Sequence, residues 1–232
     1  MNTTHIETLH RFDLPQGGFA GLKEHRLVTD SRMFGGRKQP QTFEGIGNFV
    51  YLADAQFMPH GQTTLHPHHE IDVISVMVEG RISHEGSLEH GQDLETGAAQ
   101  VQRAGGEGFS HNEVNPDTTE NRMLQLWVLP DDPGEPAGYK VYQPEGVRTK
   151  IYGGSKHQDE TFDSQTQIDI SLLKEGERFE QTGEALIYVA KGDVQVHVHG
   201  EEVDASDGTL IRVADAQMIA RQDSQLVVVY VA

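Results

Sequence analysis

The chain has 232 residues, no cysteine, and 36 acidic against 18 basic side chains, a net charge of −18 with histidine neutral. Such a surface repels phosphate backbones and anionic bilayers, so direct contact with nucleic acid or membrane is not expected. Disulfides, thiolate nucleophiles and cysteine-held metals are excluded, and any metal must be bound by His, Asp or Glu.

The N-terminal stretch MNTTHIETLHRFDLPQGG has no basic region followed by an apolar run, and no segment approaches the ~20 apolar residues of a membrane span. A soluble, cytoplasmic, monomeric protein is expected. From residue 48 onward, short apolar runs rich in Val, Ile, Tyr and Phe are punctuated by Gly, Asp, Asn and Pro: NFVYLADAQF, IDVISVMVEG, MLQLWVLP, QIDISLL, ALIYVAKGDVQVHV, TLIRVA and QLVVVYVA. These read as strands. DVQVHV alternates strictly, as a strand with one buried face does. No long segment repeats at 3.6 residues, so the class expected is an all-β sandwich or barrel.

Between strands, residues 130–138 (PDDPGEPAG) carry three prolines and two glycines. They mark the expected junction between an N-terminal domain, 1–133, and a C-terminal domain, 134–232. A faint repeat supports two related halves: ISVMVEGRISHEG parallels LIYVAKGDVQVHVHG, each a strand, a glycine turn and a returning strand. With Gly80 aligned to Gly192, His66 and His68 fall opposite Arg178 and Glu180. Only the first half keeps a histidine pair at this place.

That pair lies in TTLHPHHEIDV. His66 and His68 are two apart, so on an extended strand both imidazoles face one way. Downstream, AGGEGFSHNEVNP places His111 and Glu113 at the same spacing. Two such pairs on adjacent strands would offer three nitrogens and one carboxylate to a divalent ion such as iron, nickel, copper, manganese or zinc. On an ion preferring five or six ligands, open positions remain for substrate or dioxygen. His69 points away from His68 and reads as a surface residue. His197 and His199 read as a solvated strand face, and Trp127 as core. Gly105, Gly106 and Gly108 read as backbone turns, since no helix follows to make a dinucleotide fingerprint.

HPHHEIDV, GRISHEGSLEHG, QVQRAGGEGFSHNEVNP and MLQLWVLP resemble, in order and spacing, the motifs of the pirin family of bicupins over most of residues 45–130. The resemblance implies two β-barrel (double-stranded β-helix) cupin domains. It implies one divalent ion per chain in the first, with Fe(II) the first choice and Ni, Cu, Mn, Co or Zn as alternatives. The second domain would be degenerate and without ligands. The implied ligands are His66, His68, His111 and Glu113. His84 matches a family histidine. His69-Glu70 and Asp72-Val73 replace the usual Arg-Gly and Glu-Thr, and EGSLEHG replaces the usual Asp-Ser-x-Gly, so the pocket rim is expected to differ. Two functions follow. One is a dioxygenase opening flavonols such as quercetin, with Glu113 as general base and a small aromatic substrate. The other is a non-enzymatic, redox-sensing regulator that binds a protein partner. A bicupin with some other natural reaction is a third reading.

Overall fold

The computed structural model describes residues 6–19 and 21–232; residues 1–5, where the stretch tested for a leader begins, lie outside the described residues. The expectation of an all-β chain is borne out, with one four-residue α-helix, Ser31–Phe34, among the described residues. The strands are β1 (Glu7–His10), β2 (Gly17–Phe19), β3 (Leu22–Thr29), β4 (Phe49–Phe57), β5 (His66–His68), β6 (Asp72–Glu79) and β7 (Arg81–Gly86). Next come β8 (His90–Glu95), β9 (Ala99–Arg103), β10 (Phe109–Val114), β11 (Arg122–Val128) and β12 (Gly138–Tyr142). The remainder are β13 (Thr149–Gly154), β14 (Ser164–Leu173), β15 (Arg178–Lys191), β16 (Asp193–Val198), β17 (Glu201–Ser206), β18 (Thr209–Ala220) and β19 (Ser224–Val231). No helix is long and apolar enough to cross a membrane among the described residues.

Two compact units result. One is Leu14–Gln143; the other joins Pro144–Ala232 to the N-terminal segment up to Asp13. These bounds differ from a 133/134 junction for two reasons. Beyond the proline- and glycine-rich stretch, β12 returns to pair with β9 through Gly138↔Arg103 to Tyr142↔Ala99. At the other end, β1 pairs with β18 through Glu7↔Arg212 to His10↔Thr209, so the chain's first strand serves the second unit's sheet. Backbone pairing set both bounds, and composition does not report pairing.

The unit Leu14–Gln143 has a seven-stranded sheet, β12-β9-β6-β11-β4-β3-β2, and a four-stranded one, β5-β10-β7-β8. They share a core: Leu22, Phe57, Met77 and Met123 of the larger sheet cluster with Ile82 and Leu94 of the smaller. Strand β6 is buried on both faces until Glu79, in keeping with its apolar run, which only Ser75 interrupts between Val73 and Val78. Two charges are buried here as a pair, the Arg122 guanidinium donating to both carboxylate oxygens of Asp54. The second unit is one sheet, β13-β14-β19-β15-β18-β16-β17, with β1 added on β18. Its core is built on Val, Ile and Ala of β15, β16, β18 and β19. In β16, Val194, Val196 and Val198 are buried while Asp193, Gln195 and His197 are not, the alternation that DVQVHV predicts.

Candidate metal centre

The HPH tripeptide forms β5, the edge of the four-stranded sheet, where a proline in a ladder is tolerated. Left-handed residues bound it on both sides: Thr64 at φ 64° and Glu70 at φ 50°. A β-branched residue in that region is strained. Here the twist aims the Thr64 carbonyl at His66, whose Nδ1–H donates to it at 2.8 Å. That contact fixes the His66 tautomer and leaves Nε2 with its lone pair free.

Strand β10 lies between β5 and β7. Its register sets His111 opposite both His66 and Gly86, and Glu113 opposite His84. Directly paired residues share a face, so these side chains all enter the interior between the sheets. Gly108 permits the close approach: at φ +74° a Cβ would lie 2.8 Å from the His68 carbonyl oxygen. Gly105 is tighter still, its would-be Cβ 1.8 Å from the Glu135 oxygen. Both are turn glycines, as the sequence suggested.

His66, His68 and His111 converge. Nε2 of His111 lies 3.2 Å from Nε2 of His68 and 3.2 Å from Nε2 of His66. Nitrogens about 2.1 Å from a common divalent ion, at angles between octahedral and tetrahedral, sit about 3.0–3.4 Å apart. The spacing therefore suits an ion. Protonation is held off two of these rings. Burial, reinforced by the charge of His66, lowers His68 to about 4. Burial, with His66, His68 and His84 adding to it, lowers His111 to about 2. Neutral imidazole is the ligating form. The Gln102 amide nitrogen lies 3.1 Å from His111 Nδ1; for His111 to ligate through Nε2, Nδ1 must carry the proton and the Gln102 amide must turn its oxygen toward it as acceptor.

Glu113 is fully buried and is not part of this three-histidine group. Its Oε1 accepts from Ser75 Oγ at 2.5 Å and from Gln100 Nε2 at 2.9 Å. Its Oε2 is buried without a hydrogen-bond partner. Burial raises the carboxyl to about 7 against the lowering effect of those two hydrogen bonds. An unmatched carboxylate oxygen two residues along β10 from His111, together with three imidazoles, is a donor set whose chemistry suits a divalent transition metal. His84 is buried with neither ring nitrogen partnered, 5.5 Å from the His111 ring and 5.4 Å from Tyr139.

The other sequence candidates separate from this cluster. His69 is exposed, and its Nε2–H donates to the Gly106 carbonyl at 3.1 Å. His197 Nδ1 meets Glu202 in the second unit. Trp127 is only partly buried; it stacks on Tyr51 at 4.3 Å and meets the His68 ring edge-on at 6.1 Å. With Leu88 it packs on Ile71, Val73, Ala104 and Phe109, an apolar patch beside His68. Ser75, Gln100, Gln102 and Tyr139 escaped the reading of motifs. The signal for the first three was present: polar residues interrupting apolar strands, with Gln100 and Gln102 two apart.

Residues 29–128 match the pirin family model. A Pseudomonas aeruginosa protein provisionally named quercetin 2,3-dioxygenase is 28% identical over 177 residues, 72% of this chain and 76% of that one. The Escherichia coli quercetin 2,3-dioxygenase is 26% identical over 154 residues, 63% of this chain and 65% of that one. Among solved structures, YhhW from Escherichia coli superposes with a TM-score of 0.82 at 18% identity, covering 98% of both chains. A bacterial pirin YhhW in complex with nickel(II), from the same organism, gives 0.81 at 19% identity, covering 97% of this chain and 98% of that one.

Proposed function

The chain is a pirin-like cupin with a bicupin fold, and from that premise we propose that it is a metal-dependent dioxygenase acting on planar hydroxylated aromatics of the flavonol kind. The observation that carries the reading is the convergence of three imidazole nitrogens on the sheet whose central strand β10 also carries Glu113, a buried carboxylate with its second oxygen unmatched. The relatives named as quercetin 2,3-dioxygenases and the nickel(II) complex of a bacterial pirin support it.

His66, His68, His111 and Oε2 of Glu113 would hold one divalent ion in the unit Leu14–Gln143. Fe(II) is the first choice, and the donor set accepts nickel, copper, manganese, cobalt or zinc. Bound there, the ion would supply a Lewis acid and a template for chelating substrate oxygens. The rest of the work falls to the chain. Trp127 and Leu88, packed over the buried Phe109, would offer an apolar surface near His68 for a flat ring. Glu113 acts as general base on the substrate hydroxyl. Since Oε1 already accepts two hydrogen bonds, Oε2 would take the proton and in doing so give up its place as a ligand.

The test is oxygen uptake with quercetin, normalised to bound metal, for wild type and Glu113→Gln. The amide keeps the shape and removes the proton acceptor. Metal-normalised turnover is expected to fall by ~10²–10⁴-fold, the usual range for a general base. Equal rates would remove Glu113 from that role. No uptake by fully metallated wild type would remove the flavonol assignment.

A further inference from the structure

Glu113 has Oε1 engaged by two donors and Oε2 unmatched, and one of those donors is itself held. Gln100 Nε2 lies 2.9 Å from Glu113 Oε1 and 3.2 Å from Ser75 Oγ. A side-chain amide can turn over and exchange its oxygen and nitrogen at little steric cost. The Glu113 carboxylate only accepts, so the amide nitrogen faces it and the amide oxygen faces away, where the Tyr139 hydroxyl holds it by donating at 2.9 Å. Turned over, the amide would set its oxygen against a carboxylate oxygen, acceptor against acceptor. The carboxylate would then rotate away or keep a proton.

Tyr139 reaches this place from β12. It pairs with Gln102 on β9, and its ring leans diagonally to Gln100, two residues along the same strand face. The tyrosine is half-buried, while Gln100, Ser75 and Glu113 are fully buried. In such surroundings each amide or carboxylate orientation is decided by its partners, since water is not there to replace them.

We infer that Tyr139 is a positioning residue of the metal centre: through Gln100 it holds the Glu113 carboxylate with Oε1 engaged and Oε2 presented to the ion. The inference rests on the metal-centre reading above and extends it to a strand beyond the pirin-matched residues 29–128. The hydroxyl alone is responsible. The Tyr139 ring also packs 5.4 Å from His84, and that packing is separate.

Tyr139→Phe separates the two, because it keeps the ring and removes the donor. The full-length chain is stripped of metal and titrated with Co(II) against a competing chelator at fixed neutral pH, with the visible spectrum recorded. Wild type, Tyr139→Phe, Gln100→Met, their double variant and Glu113→Gln are compared. Partners that orient a ligand typically account for ~10–100-fold in metal affinity. Tyr139→Phe is expected to lose that much and to move the cobalt bands in the direction seen for Glu113→Gln. Added to Gln100→Met it should cost nothing further, since it acts through that amide. Wild-type affinity and spectrum in Tyr139→Phe, or full additivity in the double variant, would overturn the inference. If Gln100→Met does not fold, the Tyr139→Phe affinity and spectrum decide alone. Glu113→Gln binding cobalt like wild type would remove the carboxylate from the ligand set, and the inference with it. A loss in Glu113→Gln without one in Tyr139→Phe removes only the inference.

Discussion

Metal affinity should depend on pH through Glu113, and the size of the effect follows from its burial. The carboxyl is raised from 4.5 to about 7, so the metal-free site holds a proton over much of the range below neutrality. That proton belongs on Oε2, the atom that would bind the ion, because Oε1 already accepts two hydrogen bonds. Ion and proton therefore compete for one oxygen. Below the raised value, apparent affinity falls about tenfold per pH unit, or about 1.4 kcal/mol per unit. It should sit about tenfold under its plateau at pH 6 and about 100-fold under it at pH 5. The sign is one of loss on acidification, with the plateau above pH 8. His68 and His111, depressed to about 4 and about 2, stay neutral through this window. The assay is chelator competition from pH 5 to 8 on wild type and Glu113→Gln. The variant lacks the competing proton, so the wild-type-to-variant affinity ratio should shrink by roughly 100-fold from pH 8 to 5. A ratio constant across that range would refute the assignment of Oε2 as the shared atom.

His68→Ala should abolish most metal affinity yet leave the fold, because the core clusters are built from aliphatic and aromatic side chains; retained affinity by elemental analysis, or an unfolded variant by circular dichroism, would contradict this. Gly105→Ala should destabilise by about 2 kcal/mol or more, since it combines φ +52° with a Cβ 1.8 Å from the Glu135 carbonyl oxygen. Gly134→Ala, at φ +83° with nothing within 4 Å, carries strain alone and should cost about 1 kcal/mol; urea midpoints that rank the two the other way would be incompatible with the close approach. Asp54→Ala removes the carboxylate paired with the buried Arg122 guanidinium and should cost about 3–5 kcal/mol by the same measurement. A cost under about 1 kcal/mol would mean that the guanidinium finds other partners.

Local chemistry determined much of this protein. Val, Ile and Tyr runs broken by glycine specify strands wherever they occur, and the alternation in DVQVHV specifies which face is buried. The i, i+2 spacing of His66 with His68, and of His111 with Glu113, specifies a shared side for each pair because a strand repeats every two residues. Which strands lie side by side is another matter, since pairing is a long-range choice that no short pattern encodes. Register alone set His111 opposite His66 and Glu113 opposite His84. The same pairing sent β1 to the second unit and brought β12 back past a stretch that reads as a linker. Ser75, Gln100 and Tyr139 are unremarkable as letters. They acquire a role only where three strands and a half-buried ring engage one oxygen of a fully buried carboxylate and leave the other unmatched. The ring nitrogens and the carboxylate were legible because ligating atoms are a property of residue type. Their protonation and orientation were not, because burial and hydrogen-bond direction exist only once the sheets have closed over them.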